Sequence, residues 1–185
     1  MSVFLNQWIS YYENVVPDEL CDDIISYTIE NKELTPSTYS THDRTNPKSP
    51  QRVFMDDVWF RFGEDKYYEE MKEHTLNVLS MYQKVHKVVC RRYTDFRINR
   101  YKSGGFMSEH IDNIHHSHGQ QYGYPHLSVL LFLNEYYGGG EFVVADNQYE
   151  TSKGSAIIFP SNFMFPHKVN KIEYGIRWSV ISWLM

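Results

Sequence analysis

Asn99-Arg100-Tyr101-Lys102-Ser103-Gly104-Gly105-Phe106-Met107-Ser108-Glu109-His110-Ile111-Asp112 sets an imidazole and a carboxylate two positions apart, behind a glycine pair that suits a tight turn. On an extended strand residues i and i+2 face the same way, so His110 and Asp112 can grip one ion together. Two ligands make a poor metal site. The pair is informative only if the chain supplies a third.

A third candidate stands far downstream. His167 lies in Phe159-Pro160-Ser161-Asn162-Phe163-Met164-Phe165-Pro166-His167-Lys168-Val169, a run otherwise fit for packing. Arg177 follows ten residues later, inside Gly175-Ile176-Arg177-Trp178-Ser179-Val180-Ile181-Ser182-Trp183. Two histidines and one carboxylate, with other positions open, is the ligand set suited to non-haem Fe(II). Arginine is the side chain best fitted to clamp a carboxylate through two parallel hydrogen bonds. Each residue alone has a plain structural explanation, as surface pair, core histidine or solvated cation. The four together, each in apolar strand-like sequence, point to a metal centre with an anion clamp.

Around these residues the helical period is absent. From Val88 onward short alternating or apolar segments recur: Tyr93–Lys102, Phe106–Asp112, His126–Asn134, Glu141–Ala145, Ser155–Phe159, His167–Asn170 and Ile176–Leu184. Gly104-Gly105, Gly138-Gly139-Gly140, Gly154, Pro160 and Gly175 punctuate them. Many short strands after the helices have run out predict a mainly β (α+β) fold, a sandwich or jelly roll with helices packed outside. A turn near Glu173-Tyr174-Gly175 is expected to close a hairpin that carries Arg177 back over His167.

The N-terminal half reads differently. Val3 to Glu13 suggests a short strand, and Pro17-Asp18-Glu19 a helix start with acidic residues at its positive end. Cys21, Ile24, Ile25, Thr28 and Ile29 predict its buried stripe. Lys32 to Arg52 is a long polar loop in which Arg44 and Arg52 are candidate substrate contacts. Val53 to Phe62 reads as a strand. A second helix spans about Asp65 to Val85, buried through Met71, Thr75, Val78, Tyr82 and Val85.

The sequence, 185 residues and 42% hydrophobic, supports one domain: a helical support over about 1–90 and a core over about 91–185. A net charge of −5 with no basic stripe argues against a nucleic-acid surface. Cys21 and Cys90 lack Cys-x-x-Cys partners, which predicts free thiols in a reducing compartment. No basic leader and no long apolar run is present, so a soluble, cytoplasmic protein with no membrane association is expected. His115, His116 and His118 crowd a polar loop from Asn113 to Pro125, read as solvent-exposed near a site mouth; His126 is read as structural or at the pocket rim.

With His110, Asp112, His167 and Arg177 in place, the stretch from about Arg97 to Leu184 resembles the 2-oxoglutarate and Fe(II)-dependent dioxygenases, in their prolyl 4-hydroxylase-like branch. Arg-Tyr-x-x-Gly-Gly before His-x-Asp carries the likeness, with Phe132-Leu133-Asn134 before Gly139-Gly140-Glu141-Phe142, and His167 with Arg177 and Trp183. The resemblance implies a double-stranded β-helix (a cupin-like jelly roll) with the N-terminal helices packed on one sheet. It implies Fe(II) on His110, Asp112 and His167, and 2-oxoglutarate with its far carboxylate on Arg177, aided by Tyr101 and Ser179. Leu130, Phe132 and Trp183 would wall the site, dioxygen would be consumed and ascorbate would serve as reductant. One departure stands out: Phe132 occupies a place where several relatives carry a tyrosine, so its hydroxyl contact is missing.

The activity implied is hydroxylation of an unactivated C–H bond, with release of succinate and CO2, on a prolyl residue of a peptide or protein. The same chemistry on a free amino acid, another small molecule or an alkylated nucleobase is the second reading. The third is a non-catalytic cupin-like module whose metal takes a fourth protein ligand, for which His115 to His118 are the candidates.

Overall fold

The computed structural model describes residues 4–37, 51–113 and 124–185. A short 3-10 helix, Leu5–Trp8, leads into β1 (Ser10–Tyr12) and α1 (Asp18–Asn31). Next come β2 (Thr35–Pro36), β3 (Val53–Phe54), β4 (Asp56–Phe60) and α2 (Tyr68–His86). The C-terminal half holds β5 (Phe96–Lys102), β6 (Phe106–His110), β7 (Leu127–Phe132), β8 (Tyr137–Gly139), β9 (Phe142–Val144), β10 (Asn147–Tyr149), β11 (Ala156–Pro160), β12 (His167–Val169) and β13 (Ile172–Leu184). They build an eight-stranded sheet in the order β1-β11-β7-β13-β5-β4-β2, with β8 attached to β13, and a five-stranded sheet in the order β10-β9-β12-β6-β3. The fold is a double-stranded β-helix backed by two helices. No described helix is long and apolar enough to cross a membrane.

The two-residue period of the strands sorts the large sheet into two faces. Phe96 and Ile98 of β5, Leu127, Val129 and Leu131 of β7, Ala156 and Ile158 of β11, and Val180 and Leu184 of β13 meet the helices. There they pack on Cys21 and Ile24 of α1 and on Tyr68, Met71, Val78, Leu79 and Tyr82 of α2. The alternate residues Tyr101, Leu130, Phe132, Ile157, Phe159, Ile181 and Trp183 point the other way, toward Val53, Met107, Phe142, Val144 and Val169 of the small sheet. The site lies on this inner face.

Asp18 and Glu19 sit in the first turn of α1, and Lys84 and His86 in the last turn of α2, each complementing the helix dipole. The buried stripes are narrower at their ends than expected: Ile29 and Val85 are exposed, and Tyr68 and Leu79 complete the α2 face. Asp65 ties the helices together, taking Lys32 Nζ at 2.5 Å, the Arg61 backbone N–H at 2.8 Å and the Tyr27 hydroxyl at 3.4 Å.

Several expected elements take a different form. Of the expected strand Val3–Glu13, the described residues form the 3-10 helix Leu5–Trp8 followed by β1, because only Ser10, Tyr11 and Tyr12 find a ladder, on β11. The expected strand from Val53 to Phe62 divides at Met55: β3 pairs with β6 of the small sheet, and β4 with β5 of the large one. β8 and β10 add strands that sequence alternation did not show, being three residues each and rich in glycine or polar side chains. No hairpin forms near Gly175. β12 pairs with β6 and β9, β13 with β5, β7 and β8, and Asn170-Lys171 carries the chain between sheets. Gly175 instead lies within β13 at φ +78°, a left-handed value that glycine tolerates best.

Gly104-Gly105 makes another crossing, from β5 of the large sheet to β6 of the small one. Gly104 has φ +87°, and a Cβ on Gly105 would stand 2.7 Å from the Lys102 carbonyl oxygen. The Gly105 N–H donates to that carbonyl, also at 2.7 Å.

β4 is locked to β5 by charge. The Asp56 carboxylate accepts from Arg100 Nη2 at 2.7 Å and Nε at 3.1 Å, and pairs with Lys102 at 3.0 Å. Burial works to raise its pKa, but Arg100 and Lys102 outweigh burial and hold it below the ordinary carboxylate value. A depressed folded-state pKa stabilises above the unfolded value and loses that stabilisation as pH falls through the folded one. Asp56→Asn is therefore expected to lower the urea midpoint at pH 7, with the difference from wild type shrinking below about pH 4. Equal midpoint differences at pH 7 and pH 3 would refute this.

Candidate metal centre

His110 ends β6 and His167 begins β12, and the two are direct cross-strand partners with ring centroids 4.2 Å apart. Asp112 lies two residues beyond the ladder of β6, not on it, and is almost fully buried. Its carboxylate faces both rings: Oδ1 is 3.6 Å from His110 Nε2, and Oδ2 is 3.4 Å from His167 Nε2. One ligand atom from each residue falls within 4.8 Å of the others, a group able to hold a metal ion.

The backbone prepares both imidazoles for that task. His110 Nδ1 lies 2.9 Å from the Ser108 carbonyl, and His167 Nδ1 3.2 Å from the Phe165 carbonyl. A carbonyl can only accept, so each Nδ1 donates to it, which leaves Nε2 as the ring atom that faces the carboxylate and would meet a metal ion. Burial opposes charge on Asp112, but the facing imidazoles of His167 and His110 outweigh it and hold the carboxyl well below its usual range. The Ser128 hydroxyl donates to Asp112 Oδ2 at 2.6 Å and lies 2.8 Å from the Ser161 hydroxyl. Phe159 and Phe142 stand against the His167 ring at 4.9 and 5.9 Å.

A second feature sits on the same inner face. Arg177 of β13 lies opposite Tyr101 of β5 and is completely buried. Its Nη1 donates to the Ser179 hydroxyl at 3.3 Å, while Nε and Nη2 have no hydrogen-bond partner among the described residues. Its guanidinium carbon is 5.3 Å from the Tyr101 ring and 5.3 Å from the Phe132 ring. Burial raises the Tyr101 hydroxyl pKa against the pull of Arg177 and Arg97, so this hydroxyl stays protonated, able to donate. A buried guanidinium with two orphan donor atoms is costly unless an anion meets it. The donor set fits a carboxylate group, just as the two imidazoles and Asp112 fit a divalent iron.

Nine of the expected residues fall on this face: His110, Asp112 and His167 at the metal cluster, Tyr101, Arg177 and Ser179 around the buried guanidinium, and Leu130, Phe132 and Trp183 between the sheets. Arg52 does not reach it; this exposed side chain donates to the Glu109 carbonyl at 3.3 Å. His126 lines a separate apolar groove with Trp8, Tyr82, Met164 and Phe165. Arg44, His115, His116 and His118 lie outside the described residues. Reading the sequence missed Ser128 and Ser161. Ser128 left a trace, as the one polar break in Leu127–Phe132, at an inward-facing position.

Residues 96–185 match the profile of the 2OG-Fe(II) oxygenase superfamily. A PKHD-type hydroxylase of Crocosphaera subtropica is 33% identical over 94 residues, which cover 48% of this chain and 41% of that protein. The matched stretch thus spans about four-tenths of that relative's length. The structure of a viral collagen prolyl hydroxylase from Paramecium bursaria Chlorella virus-1, in its 2OG complex, superposes with a TM-score of 0.74 at 17% identity, covering 96% of this chain and 95% of that one. A Trichoplax adhaerens prolyl hydroxylase, in complex with a peptide fragment of the hypoxia inducible factor oxygen degradation domain, superposes with a TM-score of 0.72 at 15% identity, covering 96% and 83%. These two likenesses establish the double-stranded β-helix.

Removing the hydroxyl that orients Asp112 tests the centre. Ser128→Ala is expected to weaken Mn(II) or Co(II) binding by roughly 10–100-fold while the protein stays folded. An unchanged metal titration curve would show that Ser128 does not support the carboxylate.

Proposed function

We propose that the chain is a dioxygenase of the prolyl 4-hydroxylase-like kind, a reading supported by the match of residues 96–185 to the 2OG-Fe(II) oxygenase superfamily. It hydroxylates an unactivated C–H bond of a prolyl residue in a peptide or protein. The balance is 2-oxoglutarate, dioxygen and substrate C–H going to succinate, CO2 and substrate C–OH. Ascorbate serves as the reductant that keeps the metal ferrous. The observation carrying the reading is the set of His110, Asp112 and His167 with Arg177 buried on the same inner face. The peptide as substrate class is supported by the Trichoplax relative, a prolyl hydroxylase complexed with a peptide. We also propose that residues 1–185 work as one domain, the part before about residue 90 backing a core over about 91–185, since one apolar cluster joins both.

His110, Asp112 and His167 would hold Fe(II) from one side. When bound, iron with 2-oxoglutarate would activate dioxygen, the oxidant of both the dicarboxylate and the C–H bond. The chain's own residues do the rest. Backbone carbonyls of Ser108 and Phe165 fix the imidazole tautomers, and Ser128 fixes Asp112. Arg177 offers two N–H donor atoms to the far carboxylate of the dicarboxylate, and Tyr101 adds an O–H. Phe132 presents only a ring face to Arg177, so no hydroxyl from that position helps. Leu130, Phe132 and Trp183 exclude water from the space between the sheets.

Purified protein given Fe(II) and 2-oxoglutarate is expected to form succinate, and either His110→Ala or Asp112→Ala to lower this at least about 100-fold. Arg177→Gln is expected to raise the KM for 2-oxoglutarate by about tenfold or more, the loss of one charge-assisted pair. Undiminished succinate formation in both His110→Ala and Asp112→Ala would remove the metal assignment.

A further inference from the structure

β5 sends three polar side chains inward, Arg97, Asn99 and Tyr101, all buried. Tyr101 belongs to the row of Arg177; the other two do not. Asn99 lies opposite Ser179, and Arg97 opposite Ile181. Four residues along a strand separate the rows of Arg97 and Arg177, about 13 Å at ~3.3 Å per residue. The two guanidiniums rest on different partners. Arg177 lies against Tyr101 and Phe132, whereas the Arg97 guanidinium carbon stands 5.0 Å over the Trp183 ring. Trp183 in turn pairs with Ser128, whose hydroxyl holds Asp112. Arg97 therefore belongs to the metal end of the inner face, on the side toward β4.

Resting on the oxygenase reading, we propose that Arg97 and Asn99 form a subsite for a carboxylate of the substrate, separate from the clamp for the co-substrate. Stacking on Trp183 uses the face of the guanidinium and orients its N–H edge, the part that matches a carboxylate. Next to it, Asn99 Oδ1 has no hydrogen-bond partner among the described residues, and Asp57 faces Asn99 across the ladder. An acceptor and an anion beside a cation suit a ligand that carries an N–H donor close to its carboxylate, as an amino-acid unit does. Trp59, opposite Arg97 on β4 and 6.1 Å from Trp183, completes an aromatic wall for the ligand's apolar body. The carboxylate can come from a free amino acid, a peptide C-terminus or an acidic side chain beside the reacting residue.

Three probe pairs separate these sources: L-proline and L-prolinamide; Ac-Ala-Pro-Ala as acid and as C-terminal amide; and Ac-Ala-Pro-Glu-Ala-NH2 against its Gln counterpart. Binding is read by tryptophan fluorescence and calorimetry on protein loaded with Mn(II) and 2-oxoglutarate without oxygen, and substrate-stimulated succinate is read in parallel with Fe(II). In at least one pair the acid is expected to bind about tenfold tighter than the amide. Arg97→Gln should bring that ratio near one, and Arg97→Lys should keep part of it. The pair that discriminates identifies the source. Equal binding within every pair, a ratio that survives Arg97→Gln, or no saturable binding of any acid up to about 10 mM overturns the subsite. An acid preference abolished by Arg97→Gln without any succinate formation in wild type would instead sink the oxygenase reading and leave the subsite standing.

Discussion

The alternation of side chains along β13 is the constraint on which the site depends. Its C-terminal part is the middle strand of the large sheet, paired with β5 on one edge and β7 on the other. One set of residues, Trp178, Val180 and Leu184, packs against the helical layer; the other, Arg177, Ser179, Ile181 and Trp183, faces the small sheet. A slip of one residue would exchange the sets, driving a guanidinium into the apolar helix interface. The helices thus do more than cover a sheet: by burying the outer set they fix the register that aims the inner one.

That register gathers opposite charges that could not otherwise remain buried. Asp112 is ionised despite almost complete burial because two imidazoles and the Ser128 hydroxyl share its charge. Arg177 is equally buried, yet among the described residues only one of its three nitrogens finds a protein partner, a neutral hydroxyl. The first group is nearly satisfied by the protein; the second keeps two nitrogens without a partner among the described residues. A polar group buried for stability alone would be paired, and the difference between the two supports the anion-binding role proposed for Arg177.

Much of this was legible from the residues. His110, Asp112, His167 and Arg177 stood out since their types and spacing mean little in an ordinary core. The apolar segments of β5, β7, β11 and β13 showed themselves through strand-like runs between glycines. What stayed hidden depended on partners distant in sequence. Met55 gives no local sign that Val53 and Asp56 join different sheets, since either residue alone could continue a strand. β8 and β10 exist because β13 and β9 offer open edges, which no three-residue pattern encodes. Ser128 and Ser161, 33 residues apart, look like ordinary strand and loop serines until the fold sets their hydroxyls 2.8 Å apart beneath Asp112.

The division at Met55 has a mechanical consequence. β3 runs beside β6, which carries His110, while β4 runs beside β5, which carries Arg97 and Asn99. A single short segment therefore borders the strand of His110, a proposed metal ligand, through one half and the polar inner row of the large sheet through the other. The Asp56 ion pairs fasten the second half, and the close fit of Phe54 over Gly104 and Gly105 fastens the first. The spacing between the two sheets at this edge is then set by a covalent link and not only by side-chain packing. A displacement of β6, which carries His110, is thereby linked through Phe54, Met55 and Asp56 to β5, which carries Arg97 and Asn99.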